Sequence, residues 1–134
     1  MLKPRLWIVI LGFLMPYLAR IPGLFVHGPT WLSSYISDSW VSFLWITGLG
    51  MVCWGSILLG SLTYQHPKPL WFLALMGFVP YALMHATLDL SADPQSSIAL
   101  IFIPLYTLPS TIVGWMMGQY WNNRLNCNLN TKMV

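Results

Sequence analysis

Charged side chains are scarce in this sequence. Its 134 residues include six Lys or Arg and three Asp but no Glu, so 7% of the chain is charged while 57% is hydrophobic. An ordinary soluble domain has about 25% charged residues, and a water-soluble fold could not cover its surface with so few. The shortage excludes an ordinary soluble domain and predicts an integral membrane protein that forms one domain over residues 1–134.

Cysteine and catalytic patterns are also scarce. The two cysteines, Cys53 and Cys127, fall at different predicted depths, which excludes a disulfide between them, and no Cys–His spacing suits a metal. The sequence has no Ser-His-Asp order, no paired carboxylates and no glycine-rich phosphate loop. We therefore predict a protein that is not an enzyme and needs neither a metal nor another cofactor.

Long apolar runs are what the sequence does have. Four of them predict transmembrane helices at about 6–21, 40–63, 70–90 and 95–121, followed by a polar cytoplasmic tail over 122–134. We call these runs spans 1 to 4. The segment between spans 1 and 2 is too apolar for a free loop, and we expect it to lie along the outer membrane surface or to fold back over the bundle as a lid. The predicted fold class is an all-α membrane protein with four transmembrane helices.

The basic residues predict the orientation of the four spans. With four crossings, all of them except Arg20 fall on one side of the membrane: Lys3, Arg5, Lys68, Arg124 and Lys132. This is the positive-inside pattern, and it places both termini in the cytoplasm. The net charge of +3 therefore reflects topology, and we predict no nucleic-acid partner. So compact a chain suits the cytoplasmic (inner) membrane of a prokaryote.

Spans 1 and 3 resemble each other. A shift of 64 positions pairs Leu6-Trp7 with Leu70-Trp71 and Pro16-Tyr17 with Pro80-Tyr81. Each half of the chain then contains two crossings, so the halves would share one orientation in the membrane. The pattern predicts two tandem two-helix repeats.

Two of the three acidic residues have a simple structural explanation. Asp93 precedes Pro94 at the start of span 4, and Asp38 precedes span 2. Aspartate at the N-cap, with proline at the first helical position, is a common helix start. We therefore interpret Asp38 and Asp93 as helix-capping residues.

Arg20, His85 and Asp89 are not explained by capping. Counted from the inner ends of spans 1 and 3, all three lie toward the outer side of the membrane, and Asp89 is one helical turn beyond His85. Ionisable groups at such depths usually have a partner and are functional candidates. One interpretation is a structural Arg20–Asp89 ion pair with His85 hydrogen-bonded below it. The other is a ligand-binding site open to the outside.

Span 2 carries a stripe of small side chains. Cys53, Ser56, Gly60 and Thr63 recur at spacings of three or four and so share one helix face. In lipid, such a face allows two helices to approach closely. The stripe predicts helix packing, either inside this bundle or against another protein.

Span 4 contains Pro104 and Pro109, each of which permits a kink.

Two functional classes fit these features. The first is a small non-enzymatic membrane protein that acts as an accessory or assembly subunit, or as an immunity-type partner, of another membrane protein. The second is a small oligomeric transporter or channel with a polar outer-leaflet site at Arg20, His85 and Asp89. We favour the first class. The expected partners are the lipid bilayer and either another membrane protein or further copies of this chain.

The predicted topology can be tested at Cys127. If the C-terminus is cytoplasmic, an impermeant thiol reagent should label Cys127 only after the cytoplasmic membrane has been opened. The measurement is labelling of a Cys53→Ala variant in intact and in permeabilised spheroplasts. Labelling in the intact spheroplasts would contradict the predicted orientation.

Overall fold

Four helical stretches of the chain are long and apolar enough to cross a membrane: Leu2–Val26, Leu44–Ser61, Pro67–Thr87 and Ile98–Asn128. These stretches correspond to spans 1 to 4. The computed structural model describes residues 2–30, 40–89 and 96–131, and within these ranges it is helical, without strands. The predicted all-α class with four long apolar helices is confirmed.

Span 1 consists of two helices, α1 (Leu2–Leu18) and α2 (Ile21–His27). The sequence predicted one helix from about residue 6 to residue 21, so the observed helix starts earlier and breaks before the predicted end. The break has a local cause, because Pro22 lacks the N–H that would bond back to the end of α1 and its ring crowds that carbonyl. The break leaves Arg20 at the N-cap of α2.

Spans 2 and 3 are single helices, α3 (Trp40–Ser61) and α4 (Pro67–Thr87). The predicted end of span 2 at residue 63 and the predicted limits of span 3, 70 and 90, are each shifted by two or three residues. His66 has extended backbone angles and Pro67 follows it, which is the usual start of a helix with proline at N1. At the other end of α4, Leu88 is extended and its N–H bonds to the Met84 carbonyl.

Span 4 is divided into α5 (Ser96–Tyr106) and α6 (Leu108–Thr131). Pro104 and Pro109 flank the break, and neither can donate the backbone hydrogen bond that would continue the helix. Thr107, between the two helices, donates its hydroxyl to the Pro104 carbonyl at 2.7 Å, and the Thr111 hydroxyl bonds to the Thr107 carbonyl at 2.9 Å. The helix is therefore interrupted where the prolines permitted a kink, and threonine hydroxyls bond to the carbonyls around the interruption.

The central pair of the bundle is α3 and α4. Helix α1 packs against both of them on one side, and α5 and α6 pack against both on the other. Close approach is possible because glycine replaces a side chain at two crossings. A Cβ on Gly12 would lie 2.5 Å from Cγ of Trp54, and one on Gly77 would lie 2.6 Å from Cδ1 of Ile57.

A hydroxyl from α6 replaces the backbone hydrogen bond that the proline in α4 cannot make. Pro80 has no N–H, so the Met76 carbonyl one turn before it lacks its usual helical partner. The Ser110 hydroxyl donates to that carbonyl at 2.5 Å. A carbonyl left unbonded inside an apolar bundle is costly, so this bond both satisfies it and fixes α6 against α4.

Helix α6 continues to Thr131 rather than ending at about residue 121. The residues predicted to form a polar tail are therefore helical over most of their length. Their side chains have partners in the turn between α3 and α4, which explains why the helix persists. Asn122 Oδ1 accepts from the backbone N–H groups of Gln65 and His66 at 3.1 and 3.3 Å, and Asn126 Oδ1 lies 2.8 Å from His66 Nε2.

The same end of the bundle is held by two further bonds. Arg5 Nη2 donates to the Ser61 carbonyl at 2.9 Å, where its positive charge also suits the C-terminal end of the α3 dipole. The buried Tyr64 hydroxyl donates to the Trp115 carbonyl at 2.9 Å. Burial raises the pKa of Tyr64 to about 12, so this donor stays protonated over the whole physiological range.

Replacing Asn122 should destabilise the bundle. In Asn122→Ala the N–H groups of Gln65 and His66 lose their acceptor, and we expect the free energy of unfolding to fall by about 1–2 kcal/mol. Asn123→Ala is the matched control, because Asn123 is exposed on the next position of the same helix. Thermal unfolding in a mild detergent measures both, and an equal shift in the two variants would contradict this role of Asn122.

Candidate functional site

A fully buried arginine lies at the break in span 1. Arg20 has 0% of its surface exposed, although it carries a permanent positive charge. Charged side chains are almost never completely buried unless they are paired. The break between α1 and α2 turns this side chain into the bundle at the end opposite the turn between α3 and α4.

His85 in the last turn of α4 bonds to Arg20. Arg20 Nη2 and His85 Nδ1 are 2.9 Å apart, and His85 is 1% exposed. A guanidinium can only donate, so Nδ1 must accept. It follows that His85 is neutral and carries its proton on Nε2. The bond joins span 1 to span 3 across 65 residues of sequence.

Three aromatic or hydroxyl side chains complete this polar group. The Tyr81 ring meets His85 edge-on, with centroids 4.6 Å apart and planes at 76°. Tyr17 on α1 shares a side-chain hydrogen bond with the buried Thr47 on α3. We call Tyr17, Arg20, Thr47, Tyr81 and His85 the Arg20 cluster. Three of the four spans contribute to it.

The two neighbouring rings of the cluster, those of His85 and Tyr81, each have one polar atom that is buried without a hydrogen-bond partner among the described residues. These atoms are His85 Nε2 and the Tyr81 hydroxyl oxygen. The Tyr81 hydroxyl lies against Gly50 of α3, where a Cβ would be 2.7 Å from its oxygen. A buried donor without an acceptor costs about 1–3 kcal/mol. The cluster can therefore offer two hydrogen-bond donors from adjacent rings, but it contains no activated nucleophile or carboxylate pair.

Of the three acidic residues, Asp89 lies within the described part of the chain. Asp89 is half-buried just beyond the end of α4, one turn after His85. The predicted Arg20–Asp89 ion pair stays a prediction, whereas the predicted hydrogen bonding of His85 takes the form of the Arg20 contact. Asp38 and Asp93 lie outside the described residues, so their capping roles also stay predictions.

The small-residue stripe of α3 is divided between the core and the exterior. Cys53 is buried, with Sγ 3.8 Å from the Gly77 carbonyl, and Gly60 approaches Trp115 of α6. Ser56, Gly60 and Thr63 line an outward-facing groove of about 310 Å³ between α3 and α6. We call it the α3–α6 groove. The Ser56 hydroxyl donates within its own helix, to the Cys53 carbonyl at 2.7 Å.

Sequence reasoning found Arg20 and His85 but missed Tyr81, Tyr17 and Thr47. Tyr81 precedes His85 by four residues, so helical spacing alone places both on one face. The pairing of Tyr17 with Tyr81 in the repeat was a second signal. Nothing in the sequence singled out Thr47, because its role depends on how α3 packs against α1.

Among the described residues, no three His, Cys, Asp or Glu side chains are grouped so as to hold a metal ion. Comparison with known protein families, characterised proteins and solved structures gives no match. The function therefore has to be inferred from the chemistry of these sites.

The Arg20–His85 bond can be tested with a double-mutant cycle. We expect Arg20→Met and His85→Leu each to reduce the free energy of unfolding, with a coupling of about 1.5–3 kcal/mol, because the bond is buried and one partner is charged. Unfolding of both single variants and of the double variant is measured in detergent. Additive losses would contradict an energetic role for the bond. The same cycle with Asp89→Asn tests the predicted ion pair.

Proposed function

We propose that this chain is an integral inner-membrane protein without catalytic machinery, which acts as an accessory or assembly subunit, or as an immunity-type partner, of another membrane protein. The observation that carries the proposal is the α3–α6 groove. It combines small and hydroxyl-bearing side chains with an apolar wall on the outside of the bundle: Ser56, Gly60, Thr63, Leu108, Thr111 and Trp115 are among its lining residues.

The exterior of the bundle supports the membrane location. Large apolar side chains are exposed on every span, among them Phe13, Leu44, Trp45, Leu83 and Met116. In water such a surface would aggregate, whereas in a bilayer it faces lipid tails of the same polarity. Both termini are proposed to be cytoplasmic, on the basis of the basic residues at that end.

The groove suits a helix of a partner better than it suits lipid. Helices associate in membranes through close backbone approach and interhelical hydrogen bonds, which favour Gly, Ser and Thr at the contact. Gly60 and Ser56 have small side chains and so permit the close backbone approach. Thr63, whose hydroxyl bonds to Gln119 Oε1 at 2.8 Å, provides a polar group at one end of the groove.

The burial of the Arg20 cluster argues for a structural role. A transport site must meet an aqueous path, but Arg20 and His85 are 0% and 1% exposed and bond to each other. The alternative is a small oligomeric transporter or channel that uses Arg20, His85 and Asp89. It is favoured by the two polar atoms of His85 and Tyr81 that lack partners among the described residues, because a substrate could bind them in a more open state.

The pattern of burial also supports the proposed tandem repeat. The match is in a register one position away from the shift of 64 that pairs Pro16-Tyr17 with Pro80-Tyr81. At an offset of 65, the buried positions of span 1 coincide with buried positions of span 3: Ile8 with Leu73, Gly12 with Gly77, Pro16 with Tyr81 and Arg20 with His85. Each set recurs every four residues and therefore forms one face of its helix. We propose that the two halves descend from one two-helix unit.

The proposed function can be tested by gentle affinity purification from the native host, followed by native mass spectrometry. We expect a second membrane polypeptide at fixed stoichiometry. Ser56→Phe should fill the α3–α6 groove and reduce the copurified fraction several-fold without changing the melting temperature. Leu83→Phe is the matched control, because it adds a ring at an exposed position of α4.

Other outcomes of the same experiment separate the two functional classes. A homo-oligomer that carries only lipid or a small ligand would contradict the accessory role and favour transport. An equal loss of the partner in Ser56→Phe and Leu83→Phe would show that the α3–α6 groove is not the contact surface.

A further inference from the structure

A second groove lies between α4 and α6 at the end of the bundle that carries most of the basic residues. It has a volume of about 490 Å³ and is lined by Phe72, Met116, Met117, Tyr120, Trp121 and Arg124. We propose that this α4–α6 groove binds one anionic phospholipid of the cytoplasmic leaflet. The inference rests on the membrane location given under the proposed function, but not on the proposed protein partner.

The groove spans the level at which a phospholipid headgroup meets its acyl chains. Gly118 lies against the Tyr64 ring and Pro69, and Asn122 bonds to the turn between α3 and α4, so this part of α6 is level with that turn. Arg124 lies still further toward the end of the bundle. Met116 is eight positions back along α6, which is about 12 Å deeper.

The cation at the mouth of the groove is positioned for a phosphate. Arg124 is exposed, and its Cζ lies over the Tyr120 ring, 4.8 Å from the ring centroid. None of the described residues hydrogen-bonds to the guanidinium. A guanidinium edge presents two parallel donors, which match the oxygens of a phosphate. The exposed Lys68 is one turn before Phe72 on α4 and adds a second positive charge on that side.

The distribution of acidic residues reinforces this complementarity. In the sequence, Asp38, Asp89 and Asp93 all fall toward the other end of the predicted spans. Asp89 in particular follows the far end of α4. An anionic headgroup at Arg124 would therefore meet cations without a nearby carboxylate from these elements.

The walls of the groove suit acyl chains rather than a soluble anion. Phe72 and Trp121 meet edge-on with centroids 6.2 Å apart, and Met116 and Met117 are 61% and 54% exposed. Methionine is flexible and adapts to irregular apolar partners. A free phosphate ester would leave this apolar surface uncovered, whereas the first methylene groups of a phospholipid would cover it.

The experiment is a lipid titration of the intact protein, followed by native mass spectrometry from a mild non-ionic detergent. Phosphatidylglycerol and phosphatidylcholine with the same acyl chains are compared. We expect one phosphatidylglycerol to bind preferentially, and Arg124→Gln to weaken that binding about tenfold. Lys3→Gln is the matched control, because it removes one exposed positive charge from the same end of the bundle, and it should leave binding unchanged.

Three results would overturn the proposal. They are equal binding of the two lipids, equal weakening in Arg124→Gln and Lys3→Gln, and displacement of the bound lipid by excess glycerol phosphate, which would indicate a site for soluble phosphate esters. If Arg124→Gln does not fold, the lipid titration is repeated with Arg124→Lys, because this variant keeps the positive charge but loses the paired donors. It should weaken binding several-fold, and unchanged binding in it would equally overturn the proposal.

The experiment also separates this proposal from the proposed function. Wild-type protein is first extracted from membranes with alkaline carbonate, which releases proteins that are not integrated. A chain that stays in the membrane but shows no preference for phosphatidylglycerol contradicts the lipid site alone. A chain that is released contradicts the membrane location on which both proposals rest.

Discussion

The buried guanidinium of Arg20 constrains the rest of the bundle. A permanent charge removed from water is tolerated only where hydrogen-bond partners surround it. The break between α1 and α2 directs Arg20 inward, and His85 accepts its hydrogen bond. Because that acceptor must be Nδ1, the imidazole is neutral and its second nitrogen becomes a donor. The position of one charge thereby fixes a tautomer on another helix and the register of span 1 against span 3.

Polar side chains elsewhere in the bundle form hydrogen bonds with backbone groups. Ser110 bonds to the carbonyl that Pro80 leaves free, Thr107 and Thr111 bond to carbonyls at the break in span 4, and Asn122 holds the turn between α3 and α4. In an apolar environment every backbone group needs a partner within the protein. At Pro80, at the break in span 4 and at the turn between α3 and α4, a hydroxyl or amide from the same or a neighbouring helix supplies a hydrogen bond. This use of polar groups leaves few of them for chemistry, which agrees with the proposed non-catalytic role.

The α3–α6 groove and the α4–α6 groove differ in chemistry. The α3–α6 groove is lined partly by small side chains and hydroxyls, which suit close contact with another helix. The α4–α6 groove has aromatic and methionine walls and an arginine at its mouth, which suit a lipid with an anionic headgroup. The helix α6 borders both. A bound lipid and a protein partner would therefore occupy different faces of the same helix and need not compete.

The sequence by itself determined the helical class, the four apolar spans and the possibility of a kink at Pro104 and Pro109. It also singled out Arg20 and His85 as candidates, because charge is costly in an apolar segment. Helix limits were less predictable. Span 1 breaks where Pro22 prevents its continuation, and α6 extends because Asn122 and Asn126 find partners in a turn more than fifty residues away. Only the tertiary structure decided that His85 contacts Arg20 and that Tyr81 and Thr47 join them. It also decided that Cys53 lies in the core while the rest of its stripe, Ser56, Gly60 and Thr63, lines a groove. Periodicity places residues on a face of a helix, but which neighbour covers that face depends on the packing of all four spans.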